Sequence, residues 1–156
     1  MHSDQSSTVR RLDYELREVP EGDLTDDFVF RSGRYLKKYG IVEIIMGLVW
    51  SLSEKTDLFY NKNLSQYGPL NLDLAAIDIF RGRDHEVSCY NTVRQSYQLE
   101  PYTSFNQITE DVELQKKLEY FYGSVDKIDT LVGALAEKPY ANGYDMGELL
   151  SVMFAE

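Results

Sequence analysis

Apolar residues in the first third of the chain recur every three or four positions, the spacing of a helix rather than of a strand. The repeat is clearest between residues 41 and 52. Its members are Ile41, Ile44, Ile45, Leu48, Val49 and Leu52. They predict a helix with a broad apolar stripe, and such a stripe has to be covered by other residues.

A shorter helix is predicted immediately before that stripe. Thr25 is a candidate N-cap, and Asp26 and Asp27 place negative charge in the first turn that follows it. Lys38 lies near the other end, and Gly40 is a typical stop. Acidic residues at a helix start, basic residues at its end and glycine just beyond are the arrangement that the helix dipole and the capping geometry favour.

Further helix starts are predicted where a capping residue precedes an apolar stretch. They are Asp73 after the Gly-Pro loop at 65–71, Ser104 with Gln107, Ser124, and Asp145 with Glu148. No strand pattern competes with these signals, so the fold class is predicted to be all-α, with five to seven helices. Residues 1–11 are polar and are expected to form a flexible tail ahead of one helical domain at 12–156.

Composition narrows the classes of partner. The chain has 156 residues, 43% of them hydrophobic, and a formal net charge of −10. A globular domain is therefore expected, and binding to nucleic acid or to an anionic membrane surface is not. The apolar stretch at 40–52 is interrupted by Glu43 and is too short to span a bilayer, and the first residues lack the apolar core of a signal peptide. Cys89 is the single cysteine, so no internal disulfide is expected.

The charged stretch "DLAAIDIFRGRDHEVSCYN" at 73–91 is the strongest candidate for a functional site. On a helix, Asp78, Arg81 and His85 lie three and then four positions apart on one face. From spacing alone, the simplest interpretation is an internal Asp78–Arg81 pair with a histidine at the helix end. Such a pair is worth a few tenths of a kcal/mol when exposed.

Two segments of this chain resemble hallmark segments of the animal haem peroxidases. "LDLAAIDIFRGRDHEVSCYNTVRQ" at 72–95 resembles the family's Asp-Leu-Ala-Ala segment with its Arg-Gly-Arg-Asp-His-Gly end, and "LEYFYGSVDKIDTLVGALAEKP" at 118–139 resembles a second segment. "GIVEIIMGL" at 40–48 resembles the helix that precedes them. The resemblance implies the C-terminal portion of a haem peroxidase domain, truncated at both ends.

The resemblance also implies roles for particular residues. Asp78 matches the side chain that accepts the imidazole N–H of the proximal histidine, the iron ligand of the family, and Arg81 matches the arginine that pairs with a haem propionate. These two are the implied cofactor-binding residues. Arg83, Asp84 and His85 are expected to form a structural network at the helix end, and His85 is not the iron ligand of the family.

The enzyme's other catalytic parts have no counterpart in this sequence. We find no motif for the proximal histidine or for the distal histidine and arginine, so no catalytic residue and no metal ligand is assigned, and the chain is expected to be inactive alone. Glu86 replaces a family glycine, which predicts a changed or strained turn after His85.

Two functions of different classes remain open from the sequence. The first is part of an oxidoreductase that reduces hydrogen peroxide while oxidising a halide or organic donor, for which the family implies an extracellular location. The second is a non-catalytic helical scaffold or partner-binding fragment. In either case the apolar faces are expected to favour self-association.

Overall fold

The computed structural model describes residues 8–23, 32–53, 55–68, 70–141 and 145–155. The architecture is mainly helical, which confirms the predicted fold class. The helices are α1 (Ser32–Tyr39), α2 (Val42–Trp50), α3 (Lys62–Ser65), α4 (Leu74–Asp84), α5 (Tyr90–Ser96), α6 (Phe105–Ile108), α7 (Val112–Tyr122), α8 (Thr130–Ala136) and α9 (Glu148–Ala155), with a 3₁₀ turn at Val125–Lys127. Contacts divide the chain into two compact units, Met1–Lys55 with Phe59–Ala75 and Thr56–Leu58 with Ala76–Glu156.

The first unit begins with a β-hairpin that the sequence analysis did not predict. Strand β1 (Thr8–Leu12) pairs antiparallel with β2 (Glu18–Asp23). Residues 8–11, which were assigned to a flexible tail, therefore lie in a strand, and Arg11 is only 3% exposed. The reason is long-range packing: Arg11 forms an ion pair with Glu43 of α2, a contact that a local polar pattern does not reveal.

Helix α2 packs closely on β1 through a glycine. A side chain at Gly47 would place its Cβ only 1.9 Å from the carbonyl oxygen of Arg10, so the close approach requires glycine. Ile44 is also buried, but Ile45, Leu48 and Val49 are exposed. The helix predicted at 41–52 is thus confirmed, whereas most of its apolar stripe is not covered by the described residues. Self-association through this face stays a prediction.

Helix α1 ends as the sequence predicted. Gly40 has a φ of +77°, and its N–H donates to the carbonyl of Leu36 at 2.9 Å. The left-handed backbone at this position is the geometry that glycine adopts without steric cost. The predicted start of this helix at Thr25 lies outside the described residues.

The second unit has its core where α5, the 3₁₀ turn, α8 and α9 meet. Tyr90, Ile108, Ile128 and Leu149 are completely buried there. Helix α8 contributes the consecutive buried residues 132–136. This helix reaches close to α5 at Gly133, where a Cβ would lie 2.4 Å from ring atoms of Tyr90. The core therefore depends on a flat, side-chain-free surface at one point of α8.

The predicted capping residues behave differently from one another. Ser104 and Gln107 form the predicted capping box at α6. The Ser124 side chain accepts from the N–H of Asp126, so it caps the 3₁₀ turn rather than a longer helix. Helix α9 begins at Glu148, while the carboxylate of Asp145 accepts from the backbone N–H of Thr56 at 2.8 Å.

None of the described helices is long and apolar enough to span a membrane.

Candidate functional site

Helix α4 carries the two residues that the sequence analysis singled out. It begins at Leu74, directly after Asp73, and places Asp78 and Arg81 three positions apart, which puts both on one face. Asp78 is half-buried and Arg81 is exposed. The Arg81 side chain forms no hydrogen bond or ion pair with any described residue, so the internal Asp78–Arg81 pair is not formed.

Helix α4 ends in a turn that normally contains glycine. The N–H of Val87 donates to the carbonyl of Gly82 at 2.9 Å, and the N–H of Glu86 donates to that of Arg83 at 3.1 Å. This pair of hydrogen bonds defines a Schellman motif. Glu86 occupies its left-handed position with a φ of +56°, which costs a residue with a Cβ roughly 1–2 kcal/mol. The sequence analysis left a changed or a strained turn open, and the strained one is observed.

Replacing Glu86 with glycine should raise the free energy of unfolding by about 0.5–1 kcal/mol, because relief of the left-handed strain exceeds the added chain entropy of glycine. Urea denaturation followed by circular dichroism measures this difference. Glu86→Ala is the matched control, since it removes the same charge but keeps the Cβ. Equal stability of the two variants would contradict the strain at this turn.

Arg83 links the end of α4 to the start of α8. Its Nε and Nη2 atoms donate to the two carboxylate oxygens of Asp129 at 2.9 and 2.6 Å. The Tyr122 hydroxyl donates to the same carboxylate at 2.8 Å. The hydrogen bond from Arg83 lowers the pKa of Asp129, whereas burial, followed by the bond to Asp129, raises the pKa of Tyr122 to about 12. The structural role predicted for Arg83 is thus confirmed.

The other two residues of the predicted helix-end network differ from Arg83. Asp84 and His85 are exposed. Their side chains make no hydrogen bond or ion pair with the residues that the structure describes. A network that includes both of them is therefore not observed, and Arg83 alone among the three ties α4 to a neighbouring element.

A buried ionic cluster centred on Arg94 was missed by the sequence analysis. The Arg94 side chain is 1% exposed and donates to the carboxylates of Glu137 and Glu148, both at 2.6 Å. It also donates to the carbonyl of Glu100 at 2.9 Å, and its guanidinium carbon lies 3.9 Å from the centre of the Tyr102 ring. Charge and ring contacts of this kind satisfy a cation that is removed from water.

Glu137 completes this cluster from the end of α8. Its carboxylate accepts from the Tyr90 hydroxyl at 2.5 Å and from the N–H of Leu149 at 2.8 Å, in addition to the bond from Arg94. Burial raises the pKa of the Tyr90 hydroxyl, which therefore stays a hydrogen-bond donor. The cluster joins α5, α8 and α9, and its role in the chain is structural.

The described residues fit part of a haem environment. The open Arg81 guanidinium is suited to a carboxylate such as a propionate, because its planar donors match the two oxygens. Asp78 places a carboxylate on the same face. His85 is the one histidine in the described ranges, and it is exposed at the end of α4. No three His, Cys, Asp or Glu side chains of those ranges come together as a metal site.

Comparisons with known proteins agree on one family. A family model described as animal haem peroxidase matches residues 1–156. Peroxinectin A of Dictyostelium discoideum is 36% identical over 103 residues, which cover 63% of this chain and 19% of that protein. Alpha-dioxygenase PIOX of Pisum sativum is 38% identical over 85 residues, covering 54% of this chain and 13% of that protein.

A solved structure shows the same fold over almost the whole chain. Peroxidase A from Dictyostelium discoideum superposes with a TM-score of 0.88 at 26% identity, covering 98% of this chain and 30% of that one. The chain thus spans less than a third of the length of each of these relatives. The likeness is therefore to a segment of longer proteins.

Proposed function

Because the chain belongs to the animal haem peroxidase family, we propose that it supplies the proximal side of a haem site in an oxidoreductase of that family. Asp78 accepts the N–H of the proximal imidazole, and Arg81 pairs with a haem propionate. Haem, when bound, supplies the iron chemistry by which peroxide is reduced and a halide or an organic donor is oxidised. The observation that carries this proposal is the exposed Arg81 guanidinium, which has no partner among the described residues and shares one face of α4 with Asp78.

The two residues would act on different properties of the site. A carboxylate that accepts the imidazole N–H gives the ring anionic character, which stabilises higher oxidation states of the metal. Arg81 carries a fixed charge with paired donors, so it would hold and orient a propionate without entering the chemistry. Asp78 therefore tunes reactivity, and Arg81 retains the cofactor.

The relatives also suggest that this segment does not determine which oxidant and which donor the complete protein uses. Peroxinectin A and alpha-dioxygenase PIOX match the chain at 36% and 38% identity, and only the second is named as a dioxygenase. Because the family model that matches this segment is described as animal haem peroxidase, the segment is suited to holding haem rather than to choosing the oxidant. We therefore assign the selection of peroxide and donor to parts of the complete protein outside this chain.

The alternative is a helical scaffold that uses the same fold without haem. In that case Asp78 and Arg81 are ordinary surface residues of α4, and their replacement alters neither haem content nor redox behaviour. The two proposals therefore differ in a measurable quantity. The exposed apolar face of α2 does not distinguish the two proposals, because in each of them it would pack against other protein surface.

The proposal can be tested in a chimera in which this chain replaces the matching segment of peroxinectin A. Asp78→Ala should leave haem bound, raise the Fe(III)/Fe(II) midpoint potential and slow the reaction with peroxide roughly 10- to 100-fold. Arg81→Leu should instead lower the haem-to-protein ratio, with partial recovery in Arg81→Lys. Spectroelectrochemistry, haem quantification and stopped-flow kinetics measure these quantities.

Asp84→Ala is the matched control in this chimera, because Asp84 is an exposed acid on the same helix. It removes one carboxylate without touching the proposed contact to the imidazole, so its potential should equal that of the unmodified chimera. If the potential of Asp78→Ala equals that of Asp84→Ala, Asp78 has no bond to the proximal ligand. If Arg81→Leu also retains its haem, the scaffold alternative replaces the proposal.

A further inference from the structure

The Asp129 carboxylate accepts hydrogen bonds from side chains of two helices. Arg83 of α4 donates to it twice, at 2.9 and 2.6 Å, and Tyr122 of α7 donates once, at 2.8 Å. We name these three residues the Asp129 clamp. Arg83 lies two positions beyond Arg81 on the same helix, which is about 200° around its axis, so the clamp holds α4 from the side away from the proposed haem contacts.

Backbone contacts beside the clamp join the same two parts of the chain, the segment after α4 and the start of α8. Thr130 donates through its hydroxyl to the carbonyl of Ser88 at 2.5 Å, and the N–H of Tyr90 donates to the carbonyl of Ile128 at 2.9 Å. Cys89 and Asp129 form an isolated antiparallel bridge. Residues 88–90, which follow α4, thus pair with residues 128–130 through backbone and side-chain hydrogen bonds. The Asp129 clamp adds a contact between the same region and α4 itself.

Exposure indicates that the clamp controls geometry more than global stability. The Arg83 side chain is 63% exposed, whereas that of Asp129 is 18% exposed. Ion pairs open to solvent contribute little to the stability of a fold, but a paired guanidinium–carboxylate contact fixes both position and direction. The left-handed Glu86 makes the end of α4 intrinsically unfavourable, so this end needs an external contact to stay in place.

We infer that the Asp129 clamp positions α4 so that Asp78 and Arg81 present their side chains to haem, with Arg83 acting as a positioning residue. The inference rests on the proposed function for its haem readout. It predicts that Arg83 influences the iron without touching it, through the direction of the helix. A coupling of this kind is expected because replacing residues that orient the direct contacts of a metal site typically costs about 10- to 100-fold in metal affinity or activity.

Hydrogen exchange on the full chain tests the clamp without haem. Arg83→Gln and Asp129→Asn should each speed exchange at the amides of residues 85–87 about tenfold, while the urea midpoint stays close to that of the unmodified chain. Arg83→Lys should restore part of the protection because it keeps the charge. Lys116→Gln, which removes the exposed pair with Glu113 on α7, is the matched control and should leave these amides unchanged. Unchanged exchange in Arg83→Gln would overturn the inference, and so would an equal loss of protection throughout the second unit.

The peroxinectin A chimera then tests positioning. Arg83→Gln should shift the midpoint potential in the direction of Asp78→Ala and lower the haem-to-protein ratio, with Arg83→Lys between it and the unmodified chimera. If Asp78→Ala shifts the potential but Arg83→Gln changes neither quantity, positioning by the clamp is overturned. If Asp78→Ala leaves the potential unchanged and Arg81→Leu retains its haem, the proposed function is overturned, and the exchange rates still decide whether the clamp fixes α4.

Discussion

Replacing Arg94 with leucine should lower the free energy of unfolding by about 3–5 kcal/mol, because it leaves a buried carboxylate without its cation. Glu137 has a 2% exposed side chain and would keep only the donors from Tyr90 and Leu149. Glu148, at 31% side-chain exposure, can turn towards water and loses less. Urea denaturation monitored by circular dichroism measures the change.

Arg81→Leu makes the same chemical change on an exposed helix surface and serves as the control. It should alter the free energy of unfolding by less than about 0.5 kcal/mol, as expected for surface positions. The double variant Arg94→Leu with Glu137→Leu should be less destabilised than the sum of the two single variants, since it removes both charges of the pair. Equal stability of Arg94→Leu and Arg81→Leu would show that the cluster does not support the fold.

Replacing Gly133 with alanine should lower the free energy of unfolding by about 2–3 kcal/mol, because overpacking a well-filled core forces its neighbours to move. The added Cβ would lie 2.4 Å from two atoms of the Tyr90 ring. Tyr90 is completely buried and its hydroxyl is held by Glu137, so the ring has little room to shift. Chemical denaturation of the variant, with near-ultraviolet circular dichroism of the tyrosines, follows both stability and packing.

Gly82→Ala is the control for this substitution. Gly82 is also helical, but apart from the helix's own neighbouring backbone no atom of the described residues lies within 4 Å of a Cβ built there. Alanine should stabilise α4 by about 0.5–1 kcal/mol, since glycine costs more chain entropy in a helix. A destabilised Gly82→Ala, or a Gly133→Ala as stable as the unmodified chain, would contradict the close approach of α8 to Tyr90.

Features that depend on neighbours in the sequence could be predicted. The capping box of Ser104 and Gln107 and the stop at Gly40 involve atoms only a few positions apart. The turn at Glu86 was anticipated in another way, from the family glycine that Glu86 replaces, and the sequence left open whether it would be changed or strained. The helical spacing of apolar residues was equally local and gave α2 its place in the chain.

Contacts between distant residues could not be predicted in this way. Asp145 is a good capping residue, yet its carboxylate accepts from the backbone N–H of Thr56, which is 89 positions away. The hairpin at 8–23 has a polar sequence, and its strand β1 is held through the buried Arg11 and the approach of Gly47. In both cases a contact with a residue far away in the sequence overrides the local preference, and for the hairpin that contact is buried.

The candidate site was reached by resemblance, whereas the Arg94 cluster had a signal that was not used. Tyr90, Asn91 and Arg94 are the buried residues of α5, so Arg94 lies on the face of this helix that packs into the core. A cation on an apolar face requires buried partners. Their number could have been anticipated from this position, but their identity depends on which elements pack on α5.

The spacing of the Arg94 cluster along the chain constrains the order in which the second unit acquires its structure. Arg94 is 43 residues from Glu137 and 54 from Glu148. Bringing ends about 43 residues apart together costs roughly 3 kcal/mol of loop-closure entropy before any contact rewards it. During synthesis, α5 is made long before either glutamate. The Arg94 side chain therefore stays exposed to water while the locally capped α6 and α7 form. Sealing of the core is therefore expected to be a late event, triggered when α9 arrives.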